Sequence, residues 1–291
     1  MIIHNQEICR SCKSCVAVCA RQNFILDENE NVLVAEYAEA TCLGCGHCLS
    51  VCPEEGALML STYGPVRLRP VESLPSPEDM SMLLYSRRSC KKYRQDVLPS
   101  PEDIGQLIDV ARYAPTGHNS QDVSYIVLTN PDKVRQLGEV GLNAYRFILA
   151  LDSDTLEGAI GKEKAYIINL MAPRLQWHID MYDKTGSMEI TNNAPRAILI
   201  HGPGPNRDDS FINATLAAHN ISLQAVSMGL GTCMLGLLVA AINQSTESLG
   251  EIGIEIPQGN RLYMIMALGV PAKGFTIRNI PPRKAASVTY V

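Results

Sequence analysis

The N-terminal part of the chain contains CRSCKSCVAVC at residues 9–19 and CLGCGHCLSVC at residues 42–52. Both stretches have the spacing CxxCxxCxxxC, which makes them an internal duplication. They hold eight of the ten cysteines of a 291-residue chain. Thiols this dense, separated by two- and three-residue gaps, predict ligation of a metal or an iron-sulfur cluster and not the disulfides of small secreted domains.

The spacing also predicts how the thiols are shared. Two-residue gaps let three thiolates surround one face of a cubic cluster, while the fourth cysteine of each stretch points toward the other cluster. We therefore expect two 4Fe-4S clusters, one held by Cys9, Cys12, Cys15 and Cys52 and the other by Cys42, Cys45, Cys48 and Cys19. A pair of zinc sites is the alternative, because paired CxxC motifs also suit tetrahedral zinc.

Residues 1–62 resemble a bacterial two-cluster ferredoxin. Pro53 directly follows the second stretch, whereas Ala20 stands where that family usually has a proline after the first. Between the stretches, residues 32–37 predict a short strand and turn, with residues 24–26 as the pairing partner. A domain of this size buries little apolar surface, so its folding energy is expected to come largely from the clusters.

Composition narrows the class of protein. Lys and Arg number 25 against 30 Asp and Glu, for a net charge of −5, which argues against nucleic acid as a main partner. No apolar run reaches the roughly 18 residues that a membrane span needs. The opening residues MIIHNQEICR lack the basic flank and apolar core of a signal peptide, so we expect a cytoplasmic protein with reduced thiols.

A proline-rich stretch at residues 63–78, YGPVRLRPVESLPSPE, predicts an extended linker to a second domain at residues 79–291. Ser76 and Ser100, each followed by a proline and two acidic residues, are predicted helix caps. Strands are predicted at residues 123–129, 197–201 and 261–268. Helices lie between them without the regular alternation of βαβ units, so the second domain is predicted to be α+β.

Three further segments of this domain carry polar chemistry. Residues 86–94, SRRSCKKYR, contain five cations and suit a phosphate group, with a solvated basic face as the alternative. Residues 114–121, APTGHNSQ, offer amide and backbone donors that suit the polar edge of a flavin ring. Residues 229–236, GLGTCMLG, begin with glycines that suit a helix cap. They follow a helix predicted over residues 209–228, whose small and apolar residues predict burial on almost every side.

These three segments, in this order, resemble the nitroreductase family of FMN enzymes over residues 79–291, and the C-terminal IPPRKAASVTYV resembles that family's C-terminal arm. The resemblance implies that Arg87, Ser89 and Lys91 contact the FMN phosphate and ribityl chain. It further implies that the flavin ring is lined by Pro115, Thr116, Gly117 and Asn119, that Leu230, Gly231 and Thr232 approach it, and that Arg283 reaches the phosphate. A homodimer with both flavins at the interface is implied as well.

Together the two domains predict an iron-sulfur flavoenzyme. Electrons are expected to pass from the two clusters to FMN and on to an electron-poor small molecule: a nitroaromatic, a quinone or an activated alkene. NAD(P)H or an external electron-transfer protein is the expected donor. The alternative is a non-catalytic redox sensor or electron-transfer adaptor, and a dehalogenase-like or ring-modifying branch of the same flavin fold is a third hypothesis.

Flavin-centred chemistry requires no catalytic side chain from the protein. His118, inside the predicted ring-binding loop, is predicted to make a structural hydrogen bond, and donation of a proton to product is the alternative role. Cys90 and Cys233 are predicted to be small core residues. Trp177, the single tryptophan, is predicted to serve packing.

Overall fold

The computed structural model describes residues 1–64, 68–204, 209–244, 247–275 and 277–291. Its contacts divide the chain into two units. Unit 1 comprises Met1–Pro75 and Gly117–Ser120, and unit 2 comprises Ser76–Thr116 and Gln121–Val291. Residues 65–67 of the predicted linker lie outside the described residues. Among the helices of the described ranges, none is long and apolar enough to cross a membrane.

Unit 1 consists of short strands and short helices. In chain order these are β1 (Ile2–His4), α1 (Ser14–Val18), β2 (Phe24–Leu26), β3 (Val32–Val34), α2 (Ala38–Thr41), α3 (His47–Val51) and β4 (Leu58–Leu60). Two antiparallel pairs form, β1 with β4 and β2 with β3. The predicted pairing of β2 with β3 is confirmed. The sequence pattern does not predict β1 and β4, because three residues are too few to show a period of two.

The internal duplication is visible in the backbone. In the second repeat, Gly44 lies between the first and second cysteines and Gly46 between the second and third, and their φ angles are 61° and 77°. The equivalent residues of the first repeat, Ser11 and Lys13, have φ of 51° and 63°. Both repeats therefore fold into the same left-handed turns, which glycine adopts freely and which are strained for serine and lysine.

Unit 2 contains one four-stranded sheet and most of the helices. In chain order the elements are α4 (Pro77–Ser86), α5 (Pro101–Ala111), β5 (Ser124–Leu128), α6 (Pro131–Leu149), α7 (Ser153–Ile160), α8 (Lys162–Thr185), β6 (Arg196–Pro203), α9 (Ser210–Ser227), β7 (Gly231–Met234), α10 (Gly236–Ile242), α11 (Glu247–Glu251) and β8 (Asn260–Gly269). The strand order is β5-β6-β8-β7, and all neighbours are antiparallel. The three strands predicted from the sequence correspond to β5, β6 and β8.

Helices cover both faces of this sheet. Ile198 and Ile200 of β6 point to one face, where they pack with α5 and α9. Ala197 and Leu199 point to the other face, where they pack with α6, α8 and α10. Because both faces are buried, β6 is apolar along most of its length and lacks the polar alternation of a half-exposed strand.

The predicted helix starts are confirmed. The Ser76 side chain accepts a hydrogen bond from the Asp79 backbone N–H at the start of α4. Ser100 and Asp103 form a reciprocal capping box at the start of α5. Pro77 and Glu78 therefore belong to α4, although the predicted linker includes them.

Residues 209–228 are predicted to form a central or subunit-interface helix buried on almost every side, and within a single chain one face of α9 is not buried. The helix packs a row of small residues, among them Ala214, Ala217 and Ala218, against the sheet. On its opposite face Phe211 is 56% exposed and Ile212 is 57% exposed. A single chain leaves this apolar face uncovered, which the hydrophobic pattern alone cannot reveal.

Candidate functional site

The eight cysteines of the two repeats line two separate cavities of unit 1. The first cavity, about 340 Å³ including space open to solvent, is lined by Cys9, Cys12, Cys15 and Cys52. The second, about 400 Å³ on the same measure, is lined by Cys19, Cys42, Cys45 and Cys48. Each cavity thus brings together three thiols of one repeat and the fourth thiol of the other. The spacing predicts this grouping, and the role of the thiols as iron ligands stays a prediction.

Backbone N–H groups approach sulfur at equivalent positions of the two repeats. The Ser11 N–H donates to Cys9 Sγ at 3.4 Å, and the Gly44 N–H donates to Cys42 Sγ at 3.4 Å. Such bonds favour the charged form of an acceptor, so the left-handed turns suit anionic sulfur. Within the described residues no three His, Cys, Asp or Glu side chains are arranged for a single metal ion. Four thiols around an open cavity fit a larger group such as a 4Fe-4S cluster.

The thiols differ in how readily they ionise. Burial raises the pKa of Cys15, and it raises the pKa of Cys48 to about 11. Hydrogen bonding with Ser14 lowers the pKa of Cys12. Iron binds thiolates, so, if the predicted ligands bind it, each thiol must lose its proton, and the raised pKa makes this cost largest for the buried Cys15 and Cys48.

In unit 2, the basic segment lies against β7. Ser89 forms a parallel bridge with Thr232, and the Cys90 N–H donates to the Thr232 carbonyl at 2.8 Å. This pairing fixes the backbone that carries Arg87 and Lys91. Ser89 and Lys91 are exposed, whereas Cys90 between them is buried. The segment therefore presents alternate residues to solvent, as a strand does.

The Cys233 thiol shows which side chains converge here. Burial raises its pKa, while the Lys91 charge, hydrogen bonds with Ser89 and Asn192, and the Arg87 charge act in the opposite direction. The three residues predicted to hold the FMN phosphate therefore all act on the one thiol of Cys233. Their contact with FMN stays a prediction.

Asn192 is a member of this cluster that the sequence analysis missed. It follows a 3₁₀ turn at Glu189–Thr191 and has φ of 55°, and Asn193 has φ of 49°. Two successive asparagines before a proline two residues on signal a turn in the sequence, because asparagine tolerates the left-handed region. Nothing in that pattern says that the turn lies beside Cys233.

The predicted residues of β7 and the residue before it are buried. Leu230 is packed in the core, and the Thr232 hydroxyl donates to Ser222 Oγ at 3.3 Å. A Cβ on Gly231 would lie 2.6 Å from Cys90 Cβ, so only glycine leaves room for the basic segment. These residues position Ser89 and Lys91, and their approach to the flavin ring stays a prediction. Cys90 and Cys233 are buried, as predicted for core residues.

The loop APTGHNSQ is tightly folded. The Thr116 hydroxyl accepts a hydrogen bond from the Gln121 N–H at 3.1 Å. His118, Asn119 and Gln121 have φ of 53°, 56° and 49°, an unusual density of left-handed residues that often marks a functional loop. Within unit 1, the Asn119 amide donates to the Leu43 carbonyl at 3.0 Å.

Other predicted residues of the loop and the C-terminus are accessible. Pro115 and His118 are exposed, and Thr116 and Gly117 are half-buried. Arg283 lies in the exposed segment 277–291, which has no helix or strand. The roles of all these residues toward FMN stay predictions.

Trp177 is 43% exposed, so its ring is only partly packed, and its predicted packing role stays a prediction. Its ring meets the His178 ring edge-on at 5.0 Å between centroids, and the Arg174 guanidinium lies 5.4 Å from its centroid. Burial, followed by the Arg174 charge, lowers the pKa of His178 to about 4.

Comparison with known proteins identifies both parts of the chain. Residues 84–270 match the sequence model of the nitroreductase family, and residues 8–58 match that of the 4Fe-4S dicluster domain. No curated protein matches the chain in sequence. A nitroreductase with bound FMN from Bacteroides fragilis superposes with a TM-score of 0.54 at 19% identity, covering 73% of this chain and 98% of that chain. A BluB-like flavoprotein from Clostridium difficile gives 0.52 at 20% identity, covering 73% of this chain and 98% of that chain.

These matches confirm the predicted α+β class with its ferredoxin-type N-terminal domain, and the resemblance on which it rests. They favour iron-sulfur clusters over the zinc alternative, and they support the predicted oxidoreductase activity with FMN and two 4Fe-4S clusters as cofactors. Because the family match covers more than half of the sequence, the chain belongs to the nitroreductase family, and it carries a 4Fe-4S dicluster domain ahead of the family's fold.

Proposed function

We propose that the chain is an iron-sulfur flavoprotein oxidoreductase. Electrons pass from two 4Fe-4S clusters to FMN and on to an electron-poor small molecule, such as a nitroaromatic, a quinone or an activated alkene. The thiols of the two cavities hold the clusters, and Arg87, Ser89 and Lys91 hold the FMN phosphate. NAD(P)H or an external electron-transfer protein supplies the electrons.

The observation that carries this proposal is uncompensated positive charge around Cys233. Lys92 pairs with Glu189 at 3.5 Å, and Arg94 pairs with the aspartate two residues on at 2.7 Å. In the described part of the chain, neither Arg87 nor Lys91 has such a partner, although both charges act on the same thiol. An anion bound between them would supply the missing partner, and the Ser89 hydroxyl could donate to its oxygens.

The combination of cofactors explains why both domains occur in one chain. Clusters transfer single electrons, and FMN, when bound, supplies hydride or electron transfer to an organic substrate. The protein's own contribution is then binding and charge. Arg87 and Lys91 orient the cofactor through its phosphate, and buried β7 keeps the segment that carries them in place.

Lys91→Glu tests the phosphate assignment. Loss of an ion-assisted hydrogen bond costs about 1.5–3 kcal/mol, so we expect FMN affinity to fall by about 10- to 100-fold, with added repulsion on top. Flavin and iron per chain are measured on protein purified without oxygen. Lys164→Glu, an exposed residue at the start of α8, makes the same change in net charge and should retain full flavin.

The iron content of Lys91→Glu should equal that of the unaltered protein, because the thiols lie in unit 1. A Lys91→Glu protein that purifies with full flavin would overturn the assignment.

Measurement of catalytic turnover distinguishes an enzyme from a redox adaptor. We expect steady reduction of a nitroaromatic or quinone with reduced viologen or NAD(P)H, and reduction of the protein without product would indicate a redox adaptor instead.

We also propose that two chains associate through the uncovered face of α9. This face carries the exposed side chains of Phe211 and Ile212. The C-terminal segment also has exposed apolar side chains, among them Ile280 and Tyr290, and the Tyr290 side chain is 92% exposed. Apolar side chains at this density mark interaction surfaces. Ile212→Lys should convert a dimer to a monomer in light scattering, whereas Leu170→Lys on α8, a residue exposed by 67%, should not. Dissociation by the second variant alone would place the interface elsewhere.

A further inference from the structure

The two cysteine-lined cavities share their cysteine pattern but differ in the strand residues that cover them. The β1–β4 ladder pairs Ile2 with Leu60 and His4 with Leu58. Ile2 and Leu60 line the second cavity, and His4 and Leu58 line the first. The ladder therefore covers each cavity with one cross-strand pair. In the second cavity this pair is aliphatic on both strands, whereas in the first it contains a histidine.

The other strand pair repeats the arrangement with apolar residues only. Val32 of β3 lines the first cavity, and Phe24 of β2 lines the second. The second cavity also has a histidine in its wall, His47, but that side chain is exposed. Asn23, which is buried, also lines the second cavity, but its side-chain oxygen already accepts a hydrogen bond at 2.6 Å. Among the lining residues that strands β1 to β4 contribute, His4 is the polar one.

The His4 ring has an unmet hydrogen-bonding group. Its Nε2 atom is buried, and among the described residues it has no hydrogen-bond partner. Buried polar groups in native proteins are nearly always paired, and an unpaired one calls for an explanation such as a redox role or a bound group. Burial lowers the pKa of His4, which favours the neutral ring. A neutral imidazole carries one N–H, and an acceptor beside Nε2 would draw the proton to that nitrogen.

The sulfurs of a 4Fe-4S cluster in the first cavity would be such acceptors. We propose that His4 Nε2–H donates a hydrogen bond to the cluster of Cys9, Cys12, Cys15 and Cys52, and so sets the potential of this cluster above that of the other. A donor stabilises the reduced, more negative cluster more than the oxidised one, and hydrogen bonds to the sulfurs are an established determinant of cluster potential. His4 is a positioning and tuning residue, not a ligand.

This inference rests on the proposed pair of clusters, and potentials of the full chain test it. Redox titration monitored by electron paramagnetic resonance should show two separate one-electron couples. In His4→Leu the higher couple should fall toward the lower one. At a fixed potential the ratio of reduced to oxidised cluster should drop roughly tenfold, which corresponds to about 59 mV for one electron. His4→Gln keeps an N–H donor and should retain most of the separation.

Ile2→His provides the opposite test, because residue 2 holds the equivalent position over the second cavity. It should raise the lower couple and also narrow the separation. Full iron content with unchanged couples in His4→Leu would overturn the inference, as would an equal shift of both couples. If His4→Leu does not load iron, an unchanged lower couple in Ile2→His would overturn it. Protein without iron or sulfide would instead contradict the clusters themselves.

Discussion

Gly231→Ala should displace the basic segment from β7. A Cβ at this position would lie 2.6 Å from Cys90 Cβ, 2.7 Å from Cys90 Sγ and 3.2 Å from Pro271 Cγ. The first two distances are well below van der Waals contact, which begins near 3.5 Å for carbon. The φ of Gly231 lies outside the left-handed region, so alanine fits the backbone and the effect is one of packing alone.

The expected loss of stability depends on how far Cys90 can move to relieve the clash with the new methyl group. Overpacking by one methyl group in a buried site costs about 1–3 kcal/mol. Cys90 is held by its N–H bond to Thr232, so it can retreat only if the backbone of Ser89 and Lys91 moves with it. We therefore expect the free energy of unfolding of unit 2 to fall by about 1–3 kcal/mol. FMN binding should weaken about tenfold for each 1.4 kcal/mol of binding free energy that is lost because the phosphate-binding residues are displaced.

Urea unfolding and flavin titration measure the two effects. Cys90→Gly should rescue part of both losses in the double variant, with a coupling energy of about 1 kcal/mol or more, because it removes the atoms that collide. Gly105→Ala in α5 has open space around the new methyl group and should stabilise unit 2 by about 0.5–1 kcal/mol. Unchanged stability and unchanged flavin affinity in Gly231→Ala would refute the packing described for Cys90.

Three further outcomes are expected. Burial lowers the pKa of His178 from 6.5 to about 4, so as pH falls the imidazole is protonated in the unfolded chain at a higher pH than in the folded chain. Unit 2 should therefore lose about 2 kcal/mol of stability between pH 7 and pH 5. His178→Phe should remove that loss, with unfolding followed by Trp177 fluorescence. Ser100→Ala should lower the stability of unit 2 by about 1 kcal/mol, read from the urea midpoint, because the capping box with Asp103 is lost. Chelation of iron should unfold residues 1–60 and leave the sheet of unit 2 folded, as judged by limited proteolysis, and equal protection of both parts would contradict a cluster-dependent fold.

Local signals in the sequence predicted much of the fold. Ser76 and Ser100 start helices where their capping pattern places them, since a cap depends only on residues within one turn. Gly229, with φ of 72°, ends α9 as the sequence suggested. The predicted sharing of thiols between repeats corresponds to two cavities, because fixed spacing on short helices limits where each sulfur can point.

What the sequence could not show depends on contacts between distant segments. The Asn192 side chain lies near Cys233 only because a turn after α8 folds back onto β7. The uncovered face of α9 carries apolar residues such as Phe211 and Ile212, as the buried face also does, so hydrophobic periodicity cannot identify the face that a single chain leaves exposed. Ile2 and His4 line different cavities, and this can be seen only when β1 is paired with β4, because the sequence of neither strand alone shows which cavity it covers.

The crossed arrangement of cysteines has a consequence for biosynthesis. Cys9, Cys12 and Cys15 are translated early, but the cavity they line also needs Cys52, which emerges from the ribosome near the end of the domain. Cys19 in turn must wait for the second repeat. Each set of four thiols is therefore complete only after the whole duplicated segment has been synthesised. If these thiols hold the clusters as proposed, we expect both clusters to be inserted after translation has passed residue 52.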